Sequence, residues 1–187
     1  APRECATLAE LGSAYLDDDR VIDAVGVLRR CLVSQPDNYP SLVNLGDAYI
    51  MLAHFDDART QFEHATRVRS SGAEAIVDLG YLEDIAGHWE TAVASYLRAI
   101  GVDPFARDAY IDLGFAYQQH RLYALAEAAF LKGLSVAPTD GRLHYLLAAT
   151  YLDQGKRDLA RGEYRRATAS DEPDVASAAN RSLVSLQ

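Results

Sequence analysis

Residues 113–117 read Leu-Gly-Phe-Ala-Tyr, and the phrase returns as Leu11-Gly12-Ser13-Ala14-Tyr15, Leu45-Gly46-Asp47-Ala48-Tyr49, Leu79-Gly80-Tyr81-Leu82-Glu83 and Leu147-Ala148-Ala149-Thr150-Tyr151. Each phrase begins 34 residues after the one before it. The leucine and the small residue after it hold in every copy, and the tyrosine gives way only once, at Glu83. Other columns keep the same step: Ala24, Ala58, Ala92, Ala126 and Ala160, then four residues on Leu28, Phe62, Tyr96, Phe130 and Tyr164. Pro36, Pro104 and Pro138 close three of the copies. A constant period of this length is the mark of one supersecondary unit stacked on copies of itself, each burying an apolar face it could not bury alone.

The third copy shows what the unit is. Ile76, Leu79, Gly80 and Leu82 form an apolar stripe at helical spacing, which predicts a first helix from about Glu74 to Ala86. Gly87 permits a turn, and Trp89 anchors the start of a second helix whose buried side carries Ala92, Tyr96, Ala99 and Ile100. Gly80 and Ala92 are expected opposite each other across the hairpin with Tyr96 filling the space beside them, and Pro104 stops the pair. The fold class is therefore all-α, built of antiparallel helix pairs. Five copies, 5–38, 39–72, 73–106, 107–140 and 141–174, make a single domain. Residues 175–187 leave the period but place Val175, Ala179, Leu183 and Leu186 on one face, the pattern of a capping helix.

The 34-residue phrase resembles the tetratricopeptide repeat. That resemblance implies a right-handed α-solenoid whose concave groove is lined by the first helix of each pair and holds other proteins. It places in the groove Ala9, Ser13, Val43, Asn44, Asp47, Val77, Asp78, Tyr81, Ile111, Asp112, Phe115 and Tyr145, with Glu74 and Asp108 near the rim. Val43, Val77, Tyr81, Ile111 and Phe115 would offer apolar anchors. Asp47, Glu74, Asp78, Asp108 and Asp112 would favour a basic or amphipathic segment, although carboxylates early in a helix also offset its dipole. Some members of the family are similar to one another in a Lys and Asn or Arg clamp for a chaperone's C-terminal carboxylate. Here the matching slots hold Ala9, Ser13, Asn44, Glu74 and Asp78, so only Asn44 fits and such a ligand is not expected.

Charge supports the same direction. The net charge of −9 divides as −3, −1, −5, −1 and 0 over the five copies, with +1 in the segment after them. A nucleic-acid partner is disfavoured, because phosphate binding needs a basic stripe. Arg157, Arg161, Arg165 and Arg166 make one candidate, but Asp158 and Glu163 interleave with them, as on a solvated ion-paired face. No apolar run is long enough to insert in a membrane.

The histidines His54, His64, His88, His120 and His144 lack metal-ligand spacing, although His54 and His88 share the turn slot of adjacent copies. No Gly-rich phosphate loop is present, so neither cofactor nor catalysis is expected. Cys5 and Cys31 face each other across the first hairpin. They read first as two buried thiols, with a bridge open to them if their Cα atoms come within about 7 Å.

The start at Ala1, with no basic or apolar leader, suggests a processed or excised fragment. Localisation thus stays between cytoplasm by default and periplasm or secretion after loss of a leader. Three function classes follow: a binding scaffold, a self-assembling module that forms homo-oligomers through its N-terminal face, and a substrate-recruiting segment of a larger enzyme or secretion component.

Overall fold

The computed structural model describes residues 2–186; the expectations that reach Ala1 or Gln187 lie outside the described residues. Eleven α-helices and no strand occur among them. They fall into two compact units that meet in sequence between His88 and Trp89. The first holds α1 (Pro2–Asp17), α2 (Val21–Ser34), α3 (Tyr39–Met51), α4 (Phe55–Val68) and α5 (Ala73–Ile85). The second holds α6 (Trp89–Val102), α7 (Arg107–Gln119), α8 (Tyr123–Val136), α9 (Gly141–Asp153), α10 (Arg157–Ala167) and α11 (Pro173–Ser185).

Within the first unit α1 pairs with α2 and α3 with α4, and the pairs stack through α2 on α3 and α4 on α5. Within the second, α7 pairs with α8 and α9 with α10, α6 packs on α7 and α8 on α9, and α11 lies against α9 and α10. The first helix of the third copy begins and ends one residue earlier than the apolar pattern suggested. The last helix starts at Pro173, two residues before the expected 175, because proline's fixed φ suits a first helical turn. Ala179 and Leu186 of that segment enter the core of the second unit.

The recurring small residue has a direct cause. A Cβ on Gly12 would come within 2.5 Å of Leu28 Cδ2, and one on Gly46 or Gly114 would overlap the ring of Phe62 or Phe130. Each large side chain on the second helix lies flat on the bare backbone of the first, so the glycine faces that residue itself. Leu28, Phe62 and Phe130 are fully buried there, as are Ala24, Ala58, Ala126 and Ala160.

The turn between paired helices repeats as strictly. Asp19, Ala53, Gly87, Arg121 and Gly155, again 34 residues apart, all have positive φ, between 57° and 81°. The next N–H in each case, from Arg20, His54, His88, Leu122 and Lys156, donates to the carbonyl five residues back, at 2.7–2.9 Å. This is the left-handed cap that ends a helix by satisfying its last carbonyls.

Cys5 and Cys31 differ from the first expectation of two thiols. Their Cα atoms are 4.5 Å apart and the sulfurs are joined in a disulfide between α1 and α2, fully buried. The short approach follows from the slot that Cys31 fills, which holds Ala65, Ala99, Gly133 and Ala167 in the other copies, all buried. Ser41 Oγ donates to Cys31 Sγ across the next repeat at 3.0 Å.

Candidate docking face

A helix returns to the same side after 3.6 residues, so positions 4, 7 and 11 beyond a starting point share one face. On α5 that face carries Glu74, Asp78, Tyr81 and Ile85; on α3 it carries Pro40, Asn44, Asp47 and Met51. Tyr81, Ile85 and Met51 keep 42%, 45% and 49% of their surface exposed, Glu74 is exposed, and Asn44, Asp47 and Asp78 are half-buried. In the second unit, α7 carries Asp108, Asp112, Phe115 and Gln119 in the same slots. Phe115 is exposed beside an open cavity of about 470 Å³ that it shares with Gln118, Leu146 and Asp153.

One expected column is displaced from this face. Val43 and Ile111 are 1% exposed and Val77 6%, so they offer no apolar surface, and Ala9 is buried too. Each stands one residue before a polar slot of that face, Glu10, Asn44, Asp78 or Asp112, which turns it about 100° around the helix into its unit's packed interior. Tyr145, in the same column, is half-buried with its ring edge against Tyr164 at 5.4 Å and 61°. Met51 and Ile85 escaped the sequence reading. Their signal was the continuation of the Asn44 and Glu74 stripes by one further turn.

The electrostatics of the two units differ. Burial first, and then the charge of Glu74, push the Asp47 carboxyl up to about 7. Asp108 is instead matched, accepting from Arg107 Nη2 at 2.6 Å while Arg107 Nη1 reaches Asp140 at 3.0 Å. Burial foremost, with the Glu74 charge added to it, thus disfavours the ionised form of Asp47 on α3, whereas Asp108 on α7 is matched by a cation. Glu83, the residue that breaks the tyrosine column, accepts from Arg59 Nη1 at 2.5 Å and sits 2.9 Å from His88 Nδ1. These partners, Arg59 foremost, hold it below the usual carboxylate range.

The remaining candidate residues are absorbed locally. His144 bridges Glu163, 2.7 Å from Nδ1, and the Pro138 carbonyl, 3.0 Å from Nε2. His54 stacks on Tyr49, His120 stacks on Trp89 at 4.1 Å, and His64 meets Asp37 at 2.8 Å. Among the described residues no group of three or more His, Cys, Asp or Glu could hold a metal, and no helix is long and apolar enough to cross a membrane. On α10, Arg161 pairs with Asp158 and donates to the Leu186 carbonyl at 2.8 Å, and Arg166 pairs with Glu163.

A family model described as the tetratricopeptide repeat matches residues 77–141 and 145–185. The chain belongs to the tetratricopeptide repeat family. Solved structures agree with that fold. TTC0263, a thermophilic tetratricopeptide repeat protein of Thermus thermophilus, is 21% identical over 96% of this chain and 99% of its own, with a TM-score of 0.79. PilW, a widely conserved type IV pilus biogenesis factor, is 20% identical over 90% of this chain and 78% of its own, also at 0.79. The MamA protein is 23% identical over 89% of this chain and 91% of its own, at 0.66. No curated protein sequence matches the chain. The tetratricopeptide fold is that of a protein-interaction scaffold, and in this member the exposed face of the first-of-pair helices carries the aromatic and acidic side chains.

Proposed function

We propose that the chain is a non-catalytic scaffold that binds a basic or amphipathic segment of another protein on the exposed face of α3 and α5, with α7 offering a similar face in the second unit. The observation that carries this reading is the retention of Tyr81, Ile85 and Met51 at 42–49% exposure on the same face as Asp47, Glu74 and Asp78. Large apolar side chains cost free energy when left in water, and aromatic ones at such a site commonly anchor a partner. Asn44 contributes a side-chain amide between the two kinds of residue. Val43, Val77, Ile111 and Tyr145 act through the packing that holds the face in place.

Affinity capture with the intact chain tests the reading, comparing the parent with Tyr81→Ala, Phe115→Ala and the double substitution Asp78→Lys with Asp112→Lys. Partners should be weakened by about 1–2 kcal/mol for each aromatic truncation and lost by the charge reversal. Recovery of identical partners by all three variants would falsify it. Mass growth across a concentration series in light scattering, with no partner added, would replace it by self-assembly.

A further inference from the structure

The solvent side of α8, a second-of-pair helix, is apolar. Its buried side, Ala126, Ala129, Phe130 and Gly133, packs into the second unit, while Ala124, Leu125, Ala128 and Leu131 are exposed. Leu122, Leu125 and Leu131 keep 39%, 47% and 46% of their surface in water. The slots of Leu125 and Leu131 hold Asp23 and Arg29 on α2 and Asp57 and Glu63 on α4, the polar side chains that suit a solvated helix face. A helix apolar on all sides is instead the kind that is covered on all sides. At its start the exposed strip opens into a cavity of about 390 Å³, whose lining includes Leu122, Leu125, Arg121 and Lys156.

The free charge on this strip has one sign. Arg121 and Lys132 are exposed and make no ion pair among the described residues. Lys132 stands seven residues after Leu125, two turns along the same side. Glu127, the one acid on α8, is taken by Lys156 Nζ at 2.9 Å and Gln154 Nε2 at 3.0 Å. A second copy laid antiparallel about Ala128 would match leucine to leucine, but it would bring Arg121 and Lys132 of both copies to one seam with no free acid between them. An anionic bilayer is held by clusters of roughly 4–8 cations, which this strip, on a chain of net charge −9, does not supply.

We propose that the outer side of α8 is a separate docking surface for an acidic and apolar segment of a protein partner. Apolar side chains of that segment cover Leu125, Ala128 and Leu131, one of them enters the cavity at Leu122, and its Asp or Glu side chains meet Arg121 and Lys132. The charge complementarity is opposite to that of the α3 and α5 face, so the two surfaces select different segments.

Anisotropy titrations of the intact chain test this with two labelled model peptides of equal length, one of Leu and Glu and one of Leu and Lys. The Leu/Glu peptide should bind at least about tenfold more tightly, with an affinity that falls as salt rises. Lys132→Glu combined with Arg121→Glu should weaken it about tenfold and remove the salt dependence. Leu125→Gln combined with Leu131→Gln should weaken it at least about fivefold and keep the salt dependence. Gln is close to Leu in helix propensity and both sites are exposed, so circular dichroism and the melting temperature should stay those of the parent. Tyr81→Ala on α5 should leave this binding unchanged. Binding of neither peptide, equal affinity for the two, or indifference of the Leu/Glu peptide to the α8 variants would overturn the proposal. A dimer in light scattering that the paired Leu→Gln substitutions dissolve would overturn it in favour of a second copy. Cosedimentation with phosphatidylcholine and phosphatidylglycerol vesicles that Lys132→Glu abolishes would overturn it in favour of a membrane.

Discussion

At the scale of single residues, the turn slot shows how a repeat imposes a backbone conformation on whatever residue occupies it. Asp19, Ala53 and Arg121 hold φ near 58°, where an L-residue pays about 1–2 kcal/mol for the approach of Cβ to the carbonyl. Ala53→Gly removes that cost but adds chain entropy to the unfolded state, so a net gain of roughly 0.5–1 kcal/mol is expected in denaturant melts. Gly87→Ala should lose about 1 kcal/mol. A Cβ there would meet nothing within 4 Å, so the change isolates the backbone effect. Tyr39 gives a second case. Gly72, the residue before α5, brings no capping side chain, and the Tyr39 hydroxyl supplies the acceptor for Ala75 N–H from a neighbouring repeat. A Cβ on Gly72 would overlap that hydroxyl, which explains the glycine. Tyr39→Phe should therefore cost about 1 kcal/mol, read as a shift in denaturation midpoint with an unchanged slope.

At the scale of elements, helix starts are unevenly finished. Asn38 caps α3 by accepting from Ser41 N–H at 3.1 Å, and Asp140 caps α9 by accepting from Leu143 N–H at 2.8 Å. Ala106 occupies the same slot before α7 and offers no side-chain acceptor. Ala106→Asp should stabilise the protein by about 1 kcal/mol in thermal melts. The disulfide between α1 and α2 closes a loop of 26 residues, which corresponds to about 3 kcal/mol of lost unfolded-state freedom. Replacing both Cys5 and Cys31 by serine should lower the melting temperature of the first unit, and adding a reductant to that variant should change nothing further.

The helix pairs themselves were legible because the Leu-Gly phrase reports a steric necessity, the ring or leucine of the second helix lying on bare backbone. The candidate face was legible only in part. Tyr81, Phe115 and Glu74 fall on exposed slots and Asp47 and Asp78 on half-buried ones, whereas Val43, Val77 and Ile111 stand one position away and are buried, and a displacement of one residue is invisible to a pattern read at the resolution of a turn. Met51 and Ile85 carry the ordinary composition of a helix end, and the bridging of two cysteines depends on a Cα separation that spacing alone does not supply.

At the scale of the whole molecule, opposite pKa shifts bound the pH range of greatest stability. Glu83 is held below its usual range by Arg59 and His88; for Glu127 burial pushes upward, but hydrogen bonds from Lys156 and Gln154 win. Groups with depressed values stabilise the fold above the unfolded carboxylate range, and that contribution fades on acidification through their folded values. Asp47 works the other way. Its carboxyl ionises near 3.8 in the unfolded chain and at about 7 in the folded one, so between those values the folded state binds more protons. Stability then falls as pH rises from about 4 to about 7 and levels off above it.

Asp47→Asn removes the ionisation while keeping the size of the side chain, and it should raise the melting temperature at about pH 8, with the gain shrinking steadily toward about pH 4.5. If the variant and the parent instead show parallel pH profiles, the Asp47 carboxyl is not the source of the slope. The same substitution removes a negative charge from the exposed face of α3, so a variant more stable in alkaline buffer and weaker toward a basic partner would show the face holding a charge that costs the fold stability and serves binding.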